Sequence, residues 1–415
     1  MRDWRQVLLR SRIGRAYAAI GVVLAIATAV GLVVLWPGQP DATLSAGLTA
    51  PTERATVDTV SYQPCPPPQP GACGEALISL ETGPDAGSTA VLALGSTLYE
   101  PELSVGDVLR VSAAPGVEAP PGGAPPDPGA SPGPAGTGEA GNAEAAYYLS
   151  DFERRSPMLW LAIAFCVLVI VFGRLRGALS LLGLAASLGV ILFFVVPAIL
   201  DGSPPLTVAI FGALAVMLLT ITLAHGLGVV GLAAMIGTAA SMIGVAILAG
   251  AFTSLTNLTG MASDELTLLQ LEGVEVSFRG LLLAGMVIGA LGVLDDVTVS
   301  QSATVAALRR ANPGLGFGEL YRRALDVGRD HIAATVNTLV LAYVGAALPV
   351  LLIFSSGELG FFDAVNVELI AQEVVATLVG STGIIASVPI TTALAALLAR
   401  DLPPDALDAE HAHAH

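Results

Sequence analysis

The chain has 415 residues, of which 54% are hydrophobic and only 13% charged, with a mean hydropathy of +0.74. That balance excludes an ordinary soluble domain of this size and points to a membrane protein. The formal net charge is −16, and the 18 basic residues are all arginine.

Uncharged apolar windows long enough to cross a core of roughly 30 Å occur at about 16–36, 157–173, 178–200, 205–225, 228–252, 280–306, 331–354 and 374–399. They predict a mainly α, polytopic bundle of about eight transmembrane helices, with 157–173 the shortest. The first domain is read as residues 1–36, a basic leader (Arg2, Arg5, Arg10, Arg12, Arg15) and the first span. A retained anchor and a cleaved signal peptide compete here. The run of about 20 apolar residues exceeds a usual signal core and enters Trp36-Pro37 without a small-x-small site, which favours the anchor.

Residues 37–113 are expected to form a small extracytoplasmic β-barrel or sandwich inserted between spans one and two. Alternating stretches at Thr56–Val60, Ala76–Leu80, Ala90–Leu94 and Val108–Val111 are separated by Gly83-Pro84, Gly87 and Gly106-Asp107. Cys65 and Cys73 bracket a proline-rich loop, where a hairpin-closing disulfide in an oxidising compartment competes with two free thiols. Cys166 reads as a small apolar residue inside span two. Residues 114–146 are almost wholly Pro, Gly and Ala and read as an unstructured or polyproline tether. Between 37 and 156 there are 15 acids against four arginines, a net −11, which argues against nucleic acid and against anionic lipid headgroups as partners.

Residues 147–400 hold the other seven predicted spans. Arg174 and Arg176 lie between spans two and three, and Arg309, Arg310, Arg322, Arg323 and Arg329 lie between six and seven. With the basic leader these define the cytoplasmic side, and an even span count puts both termini there. The opposite loops carry Asp201, Asp264, Glu265, Glu272, Glu275, Glu358 and Asp363, as that orientation expects.

Span six contains the adjacent pair Asp295 and Asp296 in an otherwise uncharged stretch. A carboxylate at bilayer depth costs about 2.5 to 3.5 kcal/mol on insertion scales, so one that persists marks a candidate functional site. At about 100° per residue, Gly285, Gly289, Gly292, Ser300 and Ala303 fall within about 40° of Asp296. This small-residue stripe predicts that Asp296 faces a neighbouring helix and Asp295 a cavity or the cytoplasmic edge. Ion or proton handling and plain interhelical hydrogen bonding are both compatible with the pattern.

Span seven opens with Arg329 and Asp330, read as an ion pair at the cytoplasmic face, and carries Asn337 and Tyr343. Span eight carries Ser381 and Thr382 between two glycines and then Pro389, which removes a hydrogen bond to the Ile385 carbonyl and predicts a kink or unwinding. Broken helices near the midplane expose backbone groups to solutes in transporters, and they also arise from packing alone.

Three blocks, Gly-Ala-Leu-Gly-Val-Leu-Asp-Asp-Val at 289–297, Gly-Arg-Asp-His-Ile-Ala-Ala-Thr-Val-Asn-Thr-Leu-Val-Leu-Ala-Tyr at 328–343 and Leu-Val-Gly-Ser-Thr-Gly-Ile-Ile-Ala-Ser-Val-Pro-Ile-Thr at 378–391, resemble the YibE/F-like multispanning membrane proteins. The resemblance runs from about Tyr147 to Arg400 and includes Asp151-Phe152 with Arg155, and Gly173-Arg174 with Arg176-Gly177. It implies that the family aspartate corresponds to Asp296, and that its Gly-Arg-Asp and Asn-Thr-Leu elements correspond to Gly328, Arg329, Asp330 and Asn337, Thr338, Leu339. The family's function is uncharacterised, so the resemblance bears on topology more than on activity.

Residues 401–415 read as a cytoplasmic tail, whose His411, His413 and His415 are not taken as a metal site. An intramembrane aspartyl protease needs two facing carboxylates, whereas neighbours on one helix diverge by about 100°. With no phosphate-binding loop, dinucleotide fingerprint, zinc motif or nucleophile elbow, no enzyme activity and no cofactor are expected. Two classes remain for this expected bacterial cell-membrane protein. One is an ion- or proton-coupled transporter or permease component. The other is a non-transporting scaffold or sensor whose β-domain engages an envelope partner. Expected partners are the lipid bilayer, an ion or small solute, and an envelope protein or a second copy in a homo-oligomer.

Overall fold

The computed structural model describes residues 11–38, 52–68, 70–98, 101–113, 147–226, 228–262, 276–355 and 360–402. Outside them lie the tether at 114–146, the histidines of the tail, Arg2, Arg5 and Arg10 of the leader, and the loop acids Asp264, Glu265, Glu272, Glu275 and Glu358. The chain divides into two compact units, residues 44–165 and the remainder.

The first unit contains a closed barrel of strands β1 (Glu53–Pro64), β2 (Ala72–Leu80), β3 (Thr89–Leu94), β4 (Val108–Ala113) and β5 (Tyr147–Phe152). Around the barrel the order is β1-β2-β3-β5-β4, with β3 and β5 parallel at Leu92↔Tyr147 and the other pairs antiparallel. This is the strand order of the five-stranded Greek-key barrel known as the OB-fold. Alternation builds the core: Ala55, Val57, Ala76, Ile78, Leu80, Leu92, Leu94, Leu109, Val111 and Tyr147 point inward and are buried. A bulge between Val57 and Thr59 lets β1 curve between β2 and β4. Cys65 and Cys73 are joined across the β1–β2 hairpin, with Cα atoms 4.8 Å apart.

The sequence boundary at residue 113 does not complete this barrel. Tyr147–Phe152, which the sequence reading grouped with the helices, supplies the strand that closes it. Six residues beyond a long Pro/Gly/Ala segment carry too little periodicity to be read as a strand alone.

The second unit is built from apolar helices. Helix α1 (Arg12–Val34) is capped by Ser11, whose hydroxyl accepts from the Gly14 amide at 2.7 Å. Helix α2 (Arg155–Val190) contains a non-helical residue, Arg174 (φ 52°, ψ −133°). A Cβ on Gly177 would lie 2.2 Å from the Val169 carbonyl oxygen, whereas residues eight apart in a straight helix are about 12 Å apart. The chain therefore bends sharply at Arg174, and only glycine fits at 177. A π-helical turn, Ile191–Val195, and the short α3 (Val196–Leu200) continue the path.

There follow α4 (Pro205–His225), α5 (Val229–Leu255), α6 (Phe278–Ala311), α7 (Phe317–Ala346), α8 (Leu348–Ser355), α9 (Phe361–Asn366) and α10 (Glu368–Asp401). Among the described residues, six helical stretches are long and apolar enough to cross a membrane: Arg12–Val34, Arg155–Leu200, Pro205–Ala224, Val229–Leu255, Phe278–Ala311 and Glu368–Asp401. The windows at 157–173 and 178–200 fall within one 46-residue stretch bent at Arg174. The window at 331–354 is divided between α7 and α8.

Helices α5, α6 and α10 form the centre of this unit, packed through small and hydroxyl side chains. A Cβ on Gly237 would lie 2.3 Å from Thr391 Oγ1 and one on Gly383 2.2 Å from Val245 Cγ2, and Thr238 and Thr298 share a 2.6 Å hydroxyl hydrogen bond. Of the kink or unwinding expected at Pro389, the unwinding does not occur, because helix α10 is continuous from Glu368 to Asp401. Just beyond the proline the helix is tied across the bundle. Gln301 Nε2 on α6 donates to the Thr392 hydroxyl at 2.8 Å, and that hydroxyl donates to the Val388 carbonyl at 2.6 Å.

Candidate functional site: an aspartate at the end of an aliphatic cavity

Of the two aspartates of α6, Asp295 lies beside a cavity, one of the two positions expected for it, whereas Asp296, expected against a neighbouring helix, does not face one. Asp296 is exposed, as are Gly285, Gly289, Gly292 and Ala303 of the same stripe. A Cβ on Gly285 or Gly292 would meet nothing within 4 Å, and on Gly289 the nearest atom would be the Tyr343 hydroxyl at 3.6 Å. The small residues thus leave α6 open on this side instead of bringing a helix against it.

Asp295 turns inward. Its Oδ2 accepts from the Thr220 hydroxyl of α4 at 2.8 Å, while Oδ1 is buried without a partner among the described residues. Beside it is a cavity of about 360 Å³ between the second half of α2, the π-helical turn, α4 and α6. Asp295, Thr220, Ser180 and Ala224 line it along with Gly183, Leu184, Ser187, Ile191, Val195, Gly212, Ala213, Val216, Ile288, Leu291 and Gly292. The walls are aliphatic or small, and Asp295 is the one ionisable residue among them. Ser187 and Ser180 donate to the Gly183 and Gly177 carbonyls in their own helix, both at 2.8 Å, whereas Thr220 also reaches across to Asp295.

Thr220 is placed to serve either protonation state of the carboxyl. Its hydroxyl lies 3.0 Å from the Val216 carbonyl as well as 2.8 Å from Asp295. A hydroxyl has one proton and two lone pairs. It donates to an ionised Asp295, or it donates to Val216 and accepts from a protonated Asp295. The carboxyl can therefore exchange a proton without either state losing its partner in the bundle.

The remaining predicted site residues do not line this cavity. Asn337 and Thr382 are exposed, Tyr343 and Pro389 are partly buried, and Ser381 is buried with a hydroxyl lacking a partner among the described residues. The Arg329 guanidinium pairs with Asp326 at 2.9 Å, one turn back on α7, and not with its neighbour Asp330, which is exposed. Two adjacent helical residues diverge, whereas residues three apart share a face.

Sequence reasoning did not single out Thr220 or Gln301. Thr220 is one of three threonines in an apolar helix, with no local signal tying it to a carboxylate 75 positions away. Gln301 is buried and also donates to the Ala324 carbonyl at 2.7 Å, linking α6 to α7 and α10. Gly328 of the Gly-Arg-Asp element lies against it. A Cβ there would be 2.7 Å from Val388 Cγ1 and 2.8 Å from Gln301 Oε1, so this glycine allows α7 to approach.

Apolar helices of membrane-spanning length, with a carboxylate held inside the bundle and a small barrel early in the chain, define a polytopic membrane protein. The sequence model of the YibE/F-like protein family matches residues 161–401, and the chain belongs to that family. The match covers the cavity, both aspartates, Gln301 and all of α10, and begins after the barrel. No curated protein matches the chain, and no solved structure does.

Proposed function

We propose that this chain is a proton-coupled membrane transporter or permease component in which Asp295 is the proton-carrying group. The observation that carries this reading is the Asp295–Thr220 pair in a cavity whose other walls are aliphatic or small, with Asp295 its one ionisable residue. A carboxylate in apolar surroundings is costly, and ionisable groups retained at membrane depth mark proton or ion paths in pumps and transporters. No lining residue from α2, the π-helical turn or α4 is charged, and Asp296, adjacent on α6, is the nearest other acid in the chain. Asp295 can thus change charge without a counter-ion following it. The π-helical turn in the cavity wall is of a kind that recurs at functional sites.

The test is proton flux into proteoliposomes after an external acid step, read with an entrapped pH dye. Wild type is expected to acidify the lumen faster than protein-free vesicles, and Asp295→Asn to fall to the vesicle rate while still inserting. A carbodiimide that modifies protonated carboxyls in apolar surroundings is expected to block flux and to label Asp295. Flux equal to that of protein-free vesicles, under both pH and solute gradients, would remove the transport reading.

The barrel supports a second reading, in which the chain engages an envelope partner. Leu77 and Val91 are paired across β2 and β3 on the outer face and are 37% and 50% exposed. Crosslinking from Val91→Cys in whole cells tests it; loss of no function and capture of no partner would leave the barrel without that role.

A further inference from the structure

We infer that the cavity beside Asp295 is a binding site for a small amphipathic organic monocation that carries N–H donors, a primary or secondary alkylammonium. The inference rests on the transport reading and names the class of solute the site would take. Three features of the cavity select that chemistry.

First, the charge is single. Asp295 is the one ionisable lining residue, so the site balances one positive charge and leaves a second uncompensated in aliphatic surroundings. Second, the geometry asks for a donor. Asp295 Oδ2 is occupied by Thr220, whereas Oδ1 is buried and lacks a partner among the described residues. Once the carboxyl turns that oxygen toward the cavity, an ammonium N–H supplies the bond, and charge-assisted bonds of this type are about twice as strong as neutral ones. A quaternary ammonium has no such proton, and no lining residue is aromatic to hold it by its ring face.

Third, the shape and walls fit an apolar body behind the charged head. From Thr220 to Gly212 the cavity follows α4 for about 12 Å, at roughly 1.5 Å per residue. Its 360 Å³ lies in the range of about 300 to 1,000 Å³ usual for small-molecule sites. Gly183, where a Cβ would lie 3.8 Å from Thr220 Cα, keeps the slot open where a larger side chain would fill it. A bare metal cation does not match these walls, because one carboxylate and the hydroxyls of Thr220, Ser180 and Ser187 fall short of the roughly six oxygens a hard cation takes.

The experiment is calorimetric titration of the full chain in nanodiscs with hexylammonium chloride and with 1-hexanol, against empty nanodiscs of the same lipid. Hexylammonium is expected to bind at least about tenfold more tightly than the alcohol, the difference expected for a charge-assisted contact. Asp295→Asn is expected to erase that difference, and Gly183→Leu, which leaves the carboxyl in place and fills the slot, to weaken both ligands. Size-exclusion profiles establish that each variant remains folded. Equal affinities in wild type, or a preference that survives Asp295→Asn, would overturn the assignment, as would the absence of binding by either ligand. Alkylammonium binding without any flux would keep this site and remove the transport reading. Proton flux without alkylammonium binding would do the reverse.

Discussion

At the residue scale, what separates Asp295 from Asp296 is the location of the neighbouring helices. Small residues around Asp296 permit close approach, but they equally permit an open face, and the sequence of α6 alone does not distinguish the two. The decision comes from α4, which brings Thr220 to Asp295. The pair was therefore legible as a candidate, and which member packs against a neighbouring helix was not. The same contrast explains which glycines matter. Gly328→Val would force Cγ atoms into Val388 and Gln301, so it is expected to cost about 1 to 3 kcal/mol, as overpacking usually does. Gly285→Val meets open space and is expected to change stability by less than about 0.5 kcal/mol. Apparent melting temperatures of the two variants in nanodiscs check this. A Gly285 variant as destabilised as the Gly328 variant would contradict the packing described here.

At the element scale, the barrel contains a group whose ionisation works against it. The Glu53 carboxyl sits above its ordinary range, first because burial disfavours its charge and then because Asp85 lies nearby, with the neighbouring Tyr147 hydroxyl opposing both. Burial and the hydrogen bond to Asp85 at 2.7 Å also raise the Tyr147 phenol. An acid whose folded pKa is raised binds its proton more tightly in the folded state. Stability is then full below the unfolded value near 4.5 and falls as pH rises through the folded value. Glu53→Gln is accordingly expected to strengthen the seam where β1 and β5 flank β4. Hydrogen exchange at pH 7 should be slower in 53–64 and 147–152 of the variant, and faster exchange there would show that the carboxylate is stabilising. β1 to β4 were legible from alternation and turn glycines, while β5 depends on pairing with β3 and β4 across the long tether and has no local signature. For α10, Pro389 was a sound local reason to expect a break, and the side-chain links from Gln301 and Thr392 lie beyond any local reading.

At the scale of the whole molecule, hydropathy and the family motifs carried most of the architecture. The apolar windows became the helices, and the family match at 161–401 falls within the segment whose motifs suggested it. The number of membrane crossings follows less directly, because the bend at Arg174 and the junction at Ala347 each divide or merge an apolar window. The arginine pattern leads us to expect both termini in the cytoplasm and the barrel outside. Single cysteines placed near residue 130 and in the tail, in a background lacking the native thiols, would report the side of each by impermeant maleimide labelling of intact cells. Labelling near 130 only after the membrane is opened would reverse the orientation.

In the proposed reading Asp295, and not Asp296, is the proton-carrying group. Proton flux measured side by side for wild type, Asp295→Asn and Asp296→Asn, in proteoliposomes of equal protein content and over a range of pH, tests it most directly. The expected result is loss of flux in Asp295→Asn at every pH, with Asp296→Asn keeping a substantial fraction of the wild-type rate. Flux that survives in Asp295→Asn, or that disappears only in Asp296→Asn, would contradict the assignment.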